Sequence, residues 1–197
     1  MKILLLACPR SGSTTLHKSL SKTLNLNSIT IPDNYQYPNH FNLIKHIINT
    51  DDIIVRTSVQ TNHGFDLQDF IKYFDYTILL SRLNDIEHKV SFANLYYKKI
   101  YKKSGWHDIY SETEIPKKIF DDTNFILYFD SILKEKNKLI ELSNFLKIPI
   151  SYYENIYKDE SGFQTIKNII PSINIEILKQ HISSTKKSNT KIKYKLI

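Results

Sequence analysis

Apolar residues fall along the chain in two alternating patterns: short unbroken runs, and longer stretches with an apolar position every three or four residues. The runs KILLLA (2–7), DIIVRT (52–57), YTILLS (76–81) and PISYY (149–153) are short and nearly continuous. They predict strands buried on both faces of a sheet. Between them the period lengthens. Leu16, Leu20 and Leu24 mark one helix, and 40–49 and 66–74 predict two shorter ones. A long basic amphipathic helix is expected over 85–103. A second, over 123–147, takes Leu127, Ile132, Leu139, Ile140 and Leu146 as its core face. Short helices near 161–170 and 174–183 precede a lysine-rich tail. SITI (28–31) reads as a short extended segment, PDNYQYP (32–38) as irregular chain, and 105–116 as a loop.

Strands that alternate with helices imply an α/β protein, a three-layer α/β/α arrangement around a central parallel sheet. A chain of 197 residues fits a single domain, 1–197. Ligands of such sheets bind beyond the carboxyl ends of the strands. The stretches 8–15, 56–63 and 82–91 and the end of the 149–153 strand are therefore expected to converge on one edge.

Composition changes this picture in three places. The net charge of +7 favours anionic partners. It comes from 24 lysines and only three arginines in a chain also rich in isoleucine and asparagine, so lysine is the default surface cation and argues little for nucleic acid. No aromatic-basic RNA motif or zinc-finger spacing is present. A single cysteine, Cys8, excludes an internal disulfide. No apolar run approaches the roughly 20 residues of a membrane span. The start, MKILLLAC, resembles a lipoprotein signal, but its apolar run falls short of an h-region of about 7–15 residues, and a cytoplasmic protein is expected. The seven histidines show no metal-ligand spacing, so no metal is expected.

The candidate chemistry lies in ACPRSGSTTL (7–16), directly after the first strand. A glycine-containing turn into a helix aims backbone N–H groups and the positive helix end at one point. Ser11, Ser13 and Thr14 add hydroxyls and Arg10 a fixed cation, a set suited to a tetrahedral anion. An ATP-type loop requires GxxxxGK[ST], which is absent. A cysteine phosphatase loop requires arginine six positions after its cysteine, where this chain has Thr14. The plainer alternative is a strand-to-helix turn in which serine and threonine only cap.

PRSGSTTL resembles the 5′-phosphosulfate loop of the sulfotransferases that use 3′-phosphoadenylyl sulfate (PAPS). That family's second signature is an arginine ending a strand and a serine nine residues later, which together hold the donor's 3′-phosphate. LLSRLNDIEHKVSFA is similar, with Arg82 and Ser91. ISYYENI (150–156) resembles the family's Tyr-Glu-Asp-Leu strand end. The likeness runs from residue 2 to about 158 and looks closest to small prokaryotic carbohydrate and glycolipid sulfotransferases. It implies a P-loop-type fold and transfer of a sulfuryl group from PAPS to a hydroxyl of a small molecule, sugar or glycolipid.

The resemblance carries over residue by residue. Arg10 would stabilise charge on the leaving phosphate; Ser11, Gly12, Ser13 and Thr14 would bind the 5′-phosphosulfate; Arg82 and Ser91 would bind the 3′-phosphate. Lys186 and Lys187, in the basic tail, would close over the donor. The general base departs from the family pattern: the histidine after the second core strand is replaced in Arg56-Thr57-Ser58, and the prokaryotic glutamate aligns with Asn34. Asp33 and His63 are the alternatives for that role. Arg56, Ser58, Tyr35, Trp106 and His107 are candidates for the acceptor side. All three arginines lie at or just past the ends of proposed core strands, where a planar guanidinium suits bidentate anion recognition. The rival readings are a P-loop kinase and a non-catalytic module that binds 3′,5′-adenosine bisphosphate (PAP).

Overall fold

A computed structural model describes residues 1–31, 40–59, 66–100, 113–187 and 194–196. Five strands form the central sheet: β1 (Lys2–Ala7), β2 (Asn27–Thr30), β3 (Ile53–Thr57), β4 (Tyr76–Ser81) and β6 (Ile150–Tyr152). Their order is β2-β3-β1-β4-β6, and every pairing is parallel. The helices are α1 (Ser13–Leu24), α2 (His40–Asn49), α3 (Leu67–Ile71), α4 (Asp85–Ile100), α5 (Thr123–Leu146), α6 (Tyr153–Tyr157), α7 (Gly162–Ile169) and α8 (Ile175–Lys187). Strand β5 (Thr113–Ile115) pairs separately with β7 (Tyr194–Leu196). A 3-10 turn covers Lys117–Asp121.

The expected three-layer α/β/α architecture is the observed one. Side chains alternate along β1: Ile3, Leu5 and Ala7 meet α1, α6, α7 and α8, whereas Leu4, Leu6 and Cys8 meet α2, α3 and α5. A strand with no solvent face has no use for polar residues, which is why KILLLA is unbroken.

Several expectations are corrected. The segment expected only as extended at 28–31 pairs with β3 as a fifth, edge strand, displaced by one residue. The last core strand stops at Tyr152, where α6 begins. The helix expected over 66–74 spans only Leu67–Ile71. Within the expected loop 105–116, residues 113–115 form β5. The tail is not free throughout: α8 runs on to Lys187, and 194–196 adds a strand beside β5.

The core face of α5 is also revised. Leu127 is 63 % exposed and Ile140 39 %. Phe125, Phe129, Ile132, Leu139 and Leu142 are the buried apolar positions, with Glu135 buried among them. The physical reason is that α5 serves two partners. Leu139 and Leu142 pack on the sheet, while Phe125, Phe129 and Ile132 pack against α4. At 1.5 Å per residue its 24 residues extend about 36 Å, against about 20 Å for a six-residue strand. Its N-terminal half therefore projects beyond the sheet.

Helix α4 runs antiparallel to that projecting half. Asp85 pairs with Lys136 at 2.5 Å, Phe92 stacks with Phe125, and Tyr96 donates to Asp122 at 3.0 Å. Together with Ile115 and Ile119 these aromatics form a third apolar cluster above the carboxyl edge of the sheet. Among the described residues no helix is long and apolar enough to cross a membrane.

Two buried histidines make stability depend on pH. Burial lowers the pKa of His17, beside the Ile54 carbonyl, and of His88 below the ordinary 6.5. As pH falls through 6.5, the unfolded chain takes up protons that the folded chain refuses, so stability declines. Urea-denaturation midpoints should stay level from pH 8 to 7 and drop between 6.5 and 5. His17→Gln should flatten that drop.

Candidate functional site

The loop at 8–12 extends the sheet before leaving it: the Cys8 N–H donates to the Leu80 carbonyl at 3.0 Å. Two left-handed residues then turn the chain, Arg10 at φ 62° and Gly12 at φ 79°. Gly12 is the N-cap of α1, and no side chain caps it. The Thr15 N–H donates to the Gly12 carbonyl at 3.1 Å, and the N–H groups of Ser13 and Thr14 before it are left for an outside acceptor. Glycine is required at 12 for a second reason. A Cβ there would lie 2.7 Å from Cδ2 of Tyr153 and 2.9 Å from Cε2 of Tyr157.

Three neighbouring elements fix the loop from outside. Arg82, just past β4, donates from Nε to the Arg10 carbonyl at 2.8 Å, and its guanidinium lies 4.2 Å from the Tyr153 ring centroid. Tyr157 donates to the Gly12 carbonyl at 2.9 Å, and burial holds its phenol protonated. His88 Nε2 lies 2.6 Å from the Pro9 carbonyl. A carbonyl only accepts, so Nε2 carries a proton, and burial, which lowers the ring's pKa, favours the neutral form. Glu154 accepts from the Leu83 N–H at 2.9 Å, which sets the turn that aims Arg82.

Arg56, at the end of β3 on the other side, donates to the hydroxyls of Thr14 and, at 3.5 Å, Ser13. The residue expected on the acceptor side thus reaches the start of α1, beside the glycine loop. All three arginines lie at the same edge, and three arginine side chains around an uncapped helix start make it strongly electropositive.

The other expected residues divide clearly. Ser11 is buried and donates its hydroxyl to the Cys8 carbonyl at 2.6 Å, so its side chain shapes the loop rather than facing a ligand. Gly12, Ser13, Thr14, Arg10 and Arg82 are brought together. Ser91 lies buried on α4, one turn beyond His88. Ser58 is buried after β3 with an unbonded hydroxyl. The backbone of Lys186 and Lys187 ends α8. Asp33, Tyr35, His63, Trp106 and His107 lie outside the described residues. Cys8 is fully buried, and burial pushes its thiol up to about 11, so it is no nucleophile at neutral pH. Among the described residues no group of three histidine, cysteine, aspartate or glutamate side chains could hold a metal ion.

Sequence reasoning missed Tyr153, Tyr157 and His88. The first two stand in the YYENIY stretch (152–157) at the strand end, but nothing in the pattern says that their rings pack on a glycine 141 and 145 positions away. Comparison with protein-family models and with curated proteins finds no match.

Gly12→Ala should destabilise the fold by about 1–3 kcal/mol, because it adds both a left-handed backbone penalty and a clash with two packed rings. Chemical denaturation reads this directly. Adding Tyr153→Ala should recover part of the loss, since one of the two opposing rings is gone.

Proposed function

We propose that the chain is a PAPS-dependent sulfotransferase that transfers a sulfuryl group to a hydroxyl of a small-molecule, sugar or glycolipid acceptor. One observation carries this reading: the Arg82 guanidinium is hydrogen-bonded to the loop at Arg10, across neighbouring strands. Two sequence signatures 72 positions apart are thereby brought side by side. A donor with a 5′-phosphosulfate and a 3′-phosphate needs two such groups at a fixed separation.

The residues fit that donor. Arg82 donates from Nε to the Arg10 carbonyl and, at 3.4 Å, from one terminal nitrogen to the Glu87 carbonyl. Its other terminal nitrogen makes no hydrogen bond among the described residues and suits a phosphate oxygen. The uncapped first turn of α1 suits the 5′ group. The plain turn reading of the loop is less able to explain why two of the chain's three arginines reach it from flanking strands.

The chemistry asked of the protein is positioning and charge stabilisation. The donor supplies a sulfuryl group on a good leaving group: the acceptor oxygen bonds to sulfur, the sulfur–bridging-oxygen bond breaks, and PAP departs. Arg10 and the first turn of α1 stabilise the charge that grows on the bridging oxygen. Arg56 orients the hydroxyls of Ser13 and Thr14. Arg82 and Ser91 hold the 3′-phosphate. A base takes the acceptor proton, with Asp33 and His63 as the candidates. The cytoplasmic location expected from the sequence belongs to the same proposal.

PAP should raise the melting temperature and bind in calorimetry, while ATP with magnesium should do neither. Ser91→Ala should weaken PAP binding several-fold and Arg82→Ala by about tenfold to a hundredfold, as expected for hydrogen bonds to a charged group. Preferential binding of magnesium-ATP would instead make the chain a kinase. PAP binding without sulfate transfer from PAPS to any acceptor would make it a binding module.

A further inference from the structure

The Arg82 side chain is surrounded by contacts drawn from α4 and α6. The Tyr153 ring of α6 lies against its guanidinium, and Glu154 accepts from the Leu83 N–H beside it. From α4, the Glu87 carbonyl accepts from a terminal nitrogen of Arg82 at 3.4 Å. The residue that ends α6 is Lys158, whose N–H donates to the Glu154 carbonyl at 2.9 Å. Its side chain crosses to α4, where Nζ donates to both carboxylate oxygens of Glu87, at 2.7 and 2.6 Å. Glu87 therefore bonds Arg82 through its backbone and Lys158 through its side chain. Two cations from separate segments meet at one residue of α4.

Charge gives this meeting a consequence. A phosphate monoester carries roughly 1.5 to 2 negative charges near pH 7. Arg82 brings one positive charge, so a second cation is needed to neutralise such a group. Lys158 is placed to be that cation, and an ammonium on a flexible stem suits phosphate as a point charge. The pair that holds it in this structure is easily exchanged. Its side chains are 50 % and 42 % exposed, and an ion pair open to water contributes little. A phosphate on Arg82 offers the ammonium more negative charge than a carboxylate does. Glu87 acts in the opposite sense: it competes for Lys158, and its own charge repels an incoming phosphate.

We infer that Lys158 is a second cation of the 3′-phosphate site, and that Glu87 competes with the phosphate for it. This rests on the proposed donor and adds to its site two residues outside both sequence signatures. Glu87 thereby sets how tightly the 3′-phosphate is held, and how readily the spent nucleotide leaves.

The test compares binding of PAP and of adenosine 5′-monophosphate, which lacks the 3′-phosphate, to the full chain by displacement calorimetry. Wild type should prefer PAP. Lys158→Ala should weaken PAP about tenfold, as for a lost hydrogen bond to a charged group, and leave the monophosphate unchanged. Lys158→Arg should keep most of the preference. Glu87→Gln should tighten PAP several-fold, and adding Lys158→Ala should cancel most of that gain. Both side chains are about half exposed, so melting temperatures should stay near that of wild type. A PAP-to-monophosphate ratio unchanged by Lys158→Ala overturns the inference. So does a Glu87→Gln protein that loses PAP as Lys158→Ala does, since the ion pair is then a strut between α4 and α6. Wild type that binds no PAP, or binds both nucleotides equally, is a different result: it removes the proposed donor, and this inference with it.

Discussion

The hydrogen bond from Arg82 to the Arg10 carbonyl is the contact on which the site depends. A loop with two left-handed residues and no side-chain cap has little internal reason to keep its shape beyond the Ser11 bonds to the Cys8 carbonyl. Arg82 supplies one from outside, at the end of the adjacent strand. It is itself held from below by the Tyr153 ring and oriented by a turn that Glu154 closes. Tyr157 and His88 add bonds to the Gly12 and Pro9 carbonyls. Three separate segments of chain thus converge on five residues, and loop carbonyls are taken up by protein donors. That leaves N–H groups and cations as the chemistry the loop can offer, which selects for anions.

The sheet alone provides a floor but no walls. A parallel sheet ends in a row of loops, and a ligand there is open to water unless something stands beside it. Here α4 and the N-terminal half of α5 rise past the edge, joined by the stacked Phe92, Phe125 and Phe129 and by the Asp85–Lys136 and Tyr96–Asp122 contacts. Aromatic packing, with Ile115 of β5, carries the projecting pair because no strand of the central sheet reaches that far. The result is a corner between the anion loop and α4.

Much of this was legible in the sequence for a simple reason: a strand buried on both faces and a helix on one face leave different periods. KILLLA, IIVRT and YTILLS could hardly be anything else. The grouping of Arg10, Arg56 and Arg82 followed from the rule that parallel strands share a carboxyl edge. What stayed hidden was contact that no period encodes. Leu127 and Ile140 keep helical spacing yet face water, because α5 changes partner halfway along and only part of its apolar face is covered at each end. Strand β7 carried a readable signal in the alternation of KIKYKL, masked by its lysines. Tyr157 on Gly12 and the hydroxyl of Ser11 turned inward to Cys8 depend on tertiary packing alone.

The most direct measurement is a crystal structure of the protein with 3′,5′-adenosine bisphosphate bound. The account predicts the 5′-phosphate against the first turn of α1, within reach of Arg10, Ser13 and Thr14. It predicts the 3′-phosphate on the terminal nitrogens of Arg82 and the hydroxyl of Ser91, with the Arg82–Arg10 hydrogen bond intact. A nucleotide bound elsewhere, or in this cradle with its two phosphates unconnected to Arg82 and to α1, would contradict it.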